Sequence, residues 1–186
     1  MPTVVHVGPI SSPGGIQTVI KTLSSYPPEG WDAETVESHS SGSYLSKLQA
    51  YNNAKNRLEE LANQNTDGLI VHLHAASDYS FLRKLRLAEH AQRHGGKIVF
   101  HIHSGNIVSW LGKKDRAKKL KQRLENCEAT IVCLSERWKE LITPFLGKCI
   151  VSPNPFDPIH CIDSSVERNP NPVSYTHLTL PTRYRV

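Results

Sequence analysis

Short apolar, β-branched runs alternate with longer segments of helical period from residue 3 to about residue 151, and this alternation is what most narrows the choice of fold. Residues 3–7 read as a first strand, 8–15 as a loop and 16–25 as a helix. A short second strand is expected at 35–37. A long helix follows at 43–65, buried through a narrow stripe of Leu45, Leu48, Leu58 and Leu61. Residues 69–74 form the next strand, and 79–94 a helix that Gly95-Gly96 would stop. Then come a strand at 97–103, a basic helix buried through Ala117, Leu120 and Leu124, and a strand at 129–134. Ser135 is placed to cap a helix reaching about residue 146, before a last strand at 149–151. Strands joined by helix-length crossovers run parallel, with the helices packed on the sheet. The predicted class is α/β, a doubly wound parallel sheet.

The 186 residues suffice for one domain with a sizeable core but not for two full ones. No apolar run approaches the roughly 18 residues of a membrane span, and the N-terminus has no basic leader. Cys127, Cys133, Cys149 and Cys161 form no C-x-x-C pair, and Cys133 lies in an apolar run, as a buried free thiol does. The expectation is a reduced, cytoplasmic protein. Its net charge of +5 is concentrated: Lys113, Lys114, Arg116, Lys118, Lys119, Lys121 and Arg123 stand against only Asp115 and Glu125, so this segment matches the excess of the whole chain. Such a stripe is either a solvated helix face or a patch for peripheral contact with an anionic membrane. No aromatic or RNA-binding pattern accompanies it, so nucleic acid is not an expected partner.

Two places could carry chemistry. The first is Gly8-Pro-Ile-Ser-Ser-Pro-Gly-Gly-Ile16, between a strand and a helix. Glycines there let a ligand approach the backbone, and the helix start offers free N–H groups to a phosphate. The loop matches neither G-x-G-x-x-G nor a Walker motif, although Glu37 falls where a dinucleotide-binding domain places its ribose acid. The second is a pair of strand ends, His72-Leu-His74 and His101-Ile-His103. Alternation puts each pair on one face, and C-terminal strand ends are where parallel sheets bind ligands. His74 and His103 would reach the cleft, with His72 and His101 packed one step deeper. A neutral imidazole there can act as a base or bind a sugar hydroxyl. Four histidines could also ligate zinc, but Asp78 is the only acid close in sequence, so no metal is expected.

Four motifs in order carry a family resemblance. Gly-Pro-x-Ser-x-Pro-Gly-Gly-Ile-Gln17 resembles the first glycine-rich loop of family-4 glycosyltransferases. Ile98-Val-Phe-His-Ile-His-Ser-Gly105 is similar to the strand bearing their N-domain histidine, and Val132-Cys-Leu-Ser-Glu136 to the turn after it. Ile150-Val-Ser-Pro-Asn-Pro-Phe-Asp157 resembles the hinge into their second domain. The resemblance implies the Rossmann-like N-terminal half of a GT-B fold, truncated before the domain that grips the nucleotide sugar. It implies Gly14 and Gly15 beneath the donor phosphates, with Gln17, His74, Ser104 and Asn106 on the acceptor side. His103 aligns with the histidine near the reacting centre, although His-Ser-Gly stands where His-Gly is commoner and leaves the register against His101 open. The activity implied is retaining transfer from a nucleotide sugar to a hydroxyl acceptor, a polysaccharide or lipid-linked precursor. No cofactor or metal is required, and this half alone would turn over negligibly. Two other classes of function stay open on the residues: a metal-dependent hydrolase using the paired histidines, and a stand-alone Rossmann-like binding module.

The domain is expected over 1–157, with 158–172 as the start of an interdomain linker or of a second domain. From about Asp163 the periodicity stops, and Val173-Ser-Tyr-Thr-His-Leu178 reads as a translated sequencing-library adapter. Residues 173–186 are therefore expected to be a non-native tail.

Overall fold

In a computed structural model the described residues are 1–65, 68–113 and 115–156. Lys114, the expected linker and the expected tail, with Cys161, lie outside them. Met1–Pro155 forms one unit. Its elements run β1 (Thr3–Gly8), α1 (Gly15–Ser25), β2 (Asp32–Glu37), α2 (Tyr44–Gln64), β3 (Leu69–Ala75), α3 (Asp78–Arg93), β4 (Lys97–Ile102), α4 (Ile107–Leu111), α5 (Arg116–Asn126), β5 (Thr130–Cys133), α6 (Glu136–Leu146) and β6 (Cys149–Val151). The six strands form a single parallel sheet in the order β2-β1-β3-β4-β5-β6. This is a Rossmann-like α/β arrangement, as the alternation in the sequence predicts.

The order explains the layers. The chain steps one way from β1 to β2, then the other way for every later strand, and right-handed crossovers put the two sets of helices on opposite faces. Residues of α2 to α6 share one apolar core with Val5, Val7, Val71, Leu73, Phe100 and Ile102. On the opposite face α1 lies against β1, where Ile20 fills the space that a side chain at Gly8 would need.

Local signals set the boundaries. Ser43 and Ser135 cap α2 and α6, accepting from Ser46 N at 3.2 Å and Trp138 N at 3.3 Å. Gly95, at φ 88°, turns the chain out of α3. β2 is twice the expected length, because its polar edge residues Asp32, Glu34 and Thr35 hide its pattern. The stripe expected along α2 holds only in its second half. Leu58 and Leu61 are buried, but Leu45 and Leu48 are 75% and 44% exposed. The basic segment forms the expected helix, α5, with Leu120 and Leu124 buried and Ala117 half-buried, and a short unexpected helix, α4, precedes it.

Candidate functional site

The direction of chain travel reverses between β1 and β3, and parallel sheets open a crevice at the C-terminal edge of such a point. The loop after β1 is held there by Glu37. One carboxylate oxygen accepts from Ile10 N at 2.9 Å and Ser11 N at 2.6 Å, and the other from His39 N at 3.1 Å. Glu37 is thus committed to backbone and is not a free ribose acid. Gln17, expected to face an acceptor, donates to Ile10 O at 2.7 Å and braces the same loop. Gly14 and Gly15 lie in the open. No atom stands within 4 Å of a Cβ built on either, and no side chain caps α1. The N–H groups at the start of α1 are therefore accessible to an anion.

Beside this loop, histidines from three strands share one face. His6 pairs in register with His72, and His74 with His101. His103 follows β4 and donates its backbone N–H to Ala75 O at 2.8 Å, which extends the pairing by one step. The rings touch in sequence. His6 Nδ1 lies 3.2 Å from His74 Nε2, His74 Nδ1 lies 3.0 Å from His103 Nε2, and His72 Nε2 lies 3.2 Å from His101 Nδ1. Burial disfavours the charged form of every ring. It pushes His6 and His101 down to about 4, His103 to about 3 and His72 to about 2, while His74 falls well below its ordinary value.

Two expectations about these residues are corrected. His74 does not reach a cleft; it is completely buried between His6 and His103. His72 is half-buried, lining a hollow with Val4, His6 and Ile70, and is not the more enclosed of its pair. His103 is half-buried at the strand end, as expected. His6 was not anticipated. A lone histidine in a valine run carries no signal until the strand order sets it beside His72.

Ser104 Oγ donates to Ser77 Oγ at 3.3 Å, joining the ends of β3 and β4. Asn106 is exposed at the start of α4, its carbonyl accepting from Trp110 N and Ser109 Oγ. Next to Ser77, Asp78 takes a left-handed φ of 57°, which costs a non-glycine residue about 1 kcal/mol. Of the basic stripe, Lys113, Lys118 and Lys119 are exposed. Arg123 is instead paired with Glu89 through two bonds of 2.6 and 2.8 Å. Arg116 donates to Trp110 O at 2.6 Å and lies over that ring, and Lys121 stands 3.8 Å from Glu125. Arg116 and Arg123 of the expected patch are thus tied into the fold, while Lys121 makes only an exposed pair within its own helix.

A second polar group, also unforeseen, sits behind Glu37. Ser38 Oγ, His39 Nδ1, Arg83 Nε and Lys84 Nζ are buried without hydrogen-bond partners among the described residues. Burial, with Arg83 adding to it, drops the Lys84 amine to about 7, against a smaller opposing pull from Glu37. Outside them a hollow of about 300 Å³ is lined by Tyr44, Lys47, Tyr51, Tyr79, Arg83 and Arg86. Cationic and tyrosine side chains around a hollow suit an anionic, hydroxyl-rich ligand.

Compared with protein families and with curated proteins, the chain finds no match. Among the described residues no helix is long and apolar enough to cross a membrane.

Proposed function

We propose that this chain is the Rossmann-like, acceptor-side half of a two-domain, GT-B-type glycosyltransferase. The reading rests on the four motifs that resemble family 4, and one observation carries it further. At the crevice beside β1, an uncapped helix start with open space at Gly14 and Gly15 stands on the same edge as the half-buried His103. Backbone N–H groups there would hold donor phosphates as negative charge develops on the leaving group, and His103 would bind or deprotonate the acceptor hydroxyl. Ser104 and Asn106 would orient that acceptor, while Gln17 and Glu37 keep the loop in shape. The hollow of tyrosines and cations favours an acceptor bearing phosphate, in keeping with a lipid-linked or polysaccharide precursor. Lys113, Lys118 and Lys119 would face an anionic membrane. Charge reversal of Lys118 and Lys119 should then weaken binding to phosphatidylserine vesicles, at about 1 kcal/mol per charge.

The test begins at the source locus, read beyond the codon for Pro172. A continuation into a second α/β domain is expected, and that longer product should transfer sugar from labelled UDP- or GDP-sugars. Gly14→Asp, which sets a negative charge at the start of α1, should abolish the transfer while leaving the protein folded. A native stop codon directly after Val186 would overturn the reading and favour a stand-alone binding module.

A further inference from the structure

The five histidines pose a question of protons. A neutral imidazole has one N–H and one lone pair. The contacts from His6 through His74 to His103, and from His72 to His101, use most of these in pairs. Among the described residues they leave His101 Nε2 buried with no partner, on a residue only 2% exposed. An orphaned buried nitrogen is costly, and here it does not stand alone. One ring nitrogen each of His74, His101 and His103 lies within 4.8 Å of the others.

We propose that His74, His101 and His103 form a three-histidine site for a zinc-class divalent metal ion, with His6 and His72 orienting two of the ligands. Zn–N bonds of about 2.0–2.1 Å in a tetrahedron set ligand nitrogens roughly 3.3 Å apart. The 3.0 Å between His74 and His103 needs only a slight widening. With lone pairs of His74 Nδ1, His101 Nε2 and His103 Nε2 on the ion, two of the three remaining N–H groups have acceptors already in place, and that of His103 belongs to a half-buried ring. His74 Nε2–H donates to His6 Nδ1, and His101 Nδ1–H to His72 Nε2, both at 3.2 Å. Such acceptors fix the tautomer of a metal-bound imidazole and raise its basicity. The orphaned nitrogen gains a partner.

The donor set is all imidazole, which suits zinc, copper or nickel and not magnesium or calcium. Burial supports the site by holding the rings in the neutral, ligating form. Three ligands leave one coordination position, beside half-buried His103, for water or another oxygen ligand. This site departs from the expectation of no metal drawn from the sequence, and it bears on the glycosyl-transfer reading at one point: with Nε2 on a metal, His103 keeps only its Nδ1–H to bind an acceptor and cannot serve as its base. Two other groupings compete. His6, His72 and His74 also lie within ligand reach of one another, but an ion there leaves His101 Nε2 alone. Glu59, His90 and His94 form a third group, with Glu59 Oε2 3.5 and 3.8 Å from the two rings.

The test uses the 186-residue chain, stripped with EDTA and titrated with Zn²⁺ at pH 7.5 against a chromophoric chelator. One equivalent should bind, and Co²⁺ in its place should give the strong visible absorption of a four-coordinate site. His6→Gln and His72→Gln should weaken binding roughly 10-fold. His101→Gln and His103→Gln should weaken it further, and the Glu59→Gln/His94→Gln double variant should leave it unchanged. Circular dichroism separates lost binding from lost fold, and the Co²⁺ spectrum of the unaltered chain needs no variant. A folded chain that takes up no stoichiometric zinc overturns the proposal. So does binding that survives His101→Gln and His103→Gln, or binding that fails in the Glu59/His94 variant.

Discussion

On the face of the sheet covered by α2, α3, α5 and α6, the inward positions include Val5, Val7, Val71, Leu73, Phe100 and Ile102, all fully buried. One residue over along the same strands, the other face carries His6, His72, His74 and His101, and α1 lies against only its β1 side. Beyond the histidines this second face is thinly covered, with Val99 half-buried and Ile150 52% exposed. Parallel sheets are ordinarily covered on both faces. Alternation has separated two tasks by parity: odd positions on β1, β3 and even ones on β4 build the core, and their neighbours assemble polar chemistry.

The faces should therefore fail under different stresses, and acid is the strongest way to show it. In the metal-free chain the five rings take up protons far less readily folded than unfolded. The folded pKa values are lowered below 6.5, so the unfolded chain binds more protons under that pH, and stability falls as pH drops from about 6.5 towards 4. Each resisting ring costs roughly 1.4 kcal/mol per pH unit, and five make roughly 7 kcal/mol at one unit below 6.5. Urea midpoints between pH 7.5 and 5.5 measure the drop. A flat profile would mean that the rings are not buried together, and the contrast between the faces would dissolve.

The apolar face should answer to truncation instead. Phe100 is fully buried and packs at a tilt against Phe81, ring centroids 4.8 Å apart, so Phe100→Ala should cost about 3–5 kcal/mol at any pH. Val99→Ala, one residue away and half-buried on the other face, should cost under about 1 kcal/mol. Equal losses would show that the second face is packed as tightly as the first.

This division also explains what could be read in advance. The strands and most helices follow from periods of 2 and 3.6, and the cap at Ser135 and the stop at Gly95 follow from single residues. The strand β2 was largely hidden because an edge strand has only Val36 to bury. Leu45 and Leu48 mimic a buried stripe because period alone cannot say that the first turns of α2 carry their side chains out into solvent. At the site, His74 and His103 were legible as strand ends. Their joining with His6 was not, since a 3.2 Å contact across 68 residues depends on strand order. The roles of Glu37 and Gln17 as braces of the first loop were equally invisible, because the same residue types serve ligands and backbone alike.

Lys84 sharpens the comparison from the other side. Its amine is buried among the helices of the apolar face with no partner among the described residues, and burial lowers its folded pKa to about 7. Between about 7 and 10.5 the unfolded chain binds the extra proton, so stability should rise with pH through that window. Lys84→Met should remove that rise and stabilise the protein at pH 7 by about 1–3 kcal/mol, read as a higher Tm. If Tm falls instead, Lys84 holds a contact that stabilises the fold.

The smallest effect concerns α1, the helix that lies against the histidine face. A Cβ on Gly8 would run into Ile20 Cδ1, and His74 Cβ would stand 3.6 Å away. Because the obstructing atom is the end of a side chain, Gly8→Ala should cost about 1–2 kcal/mol, not unfold the protein. Ile20→Val removes that atom at a cost of about 0.5–1.5 kcal/mol. In the double variant the added methyl occupies the space vacated, so the two losses should fall short of additivity by about 0.5–1 kcal/mol. Strict additivity in a double-mutant cycle would mean that Ile20 does not rest on Gly8. The histidine cluster would then be shielded by something other than α1, and the asymmetry between the faces would need a different cause.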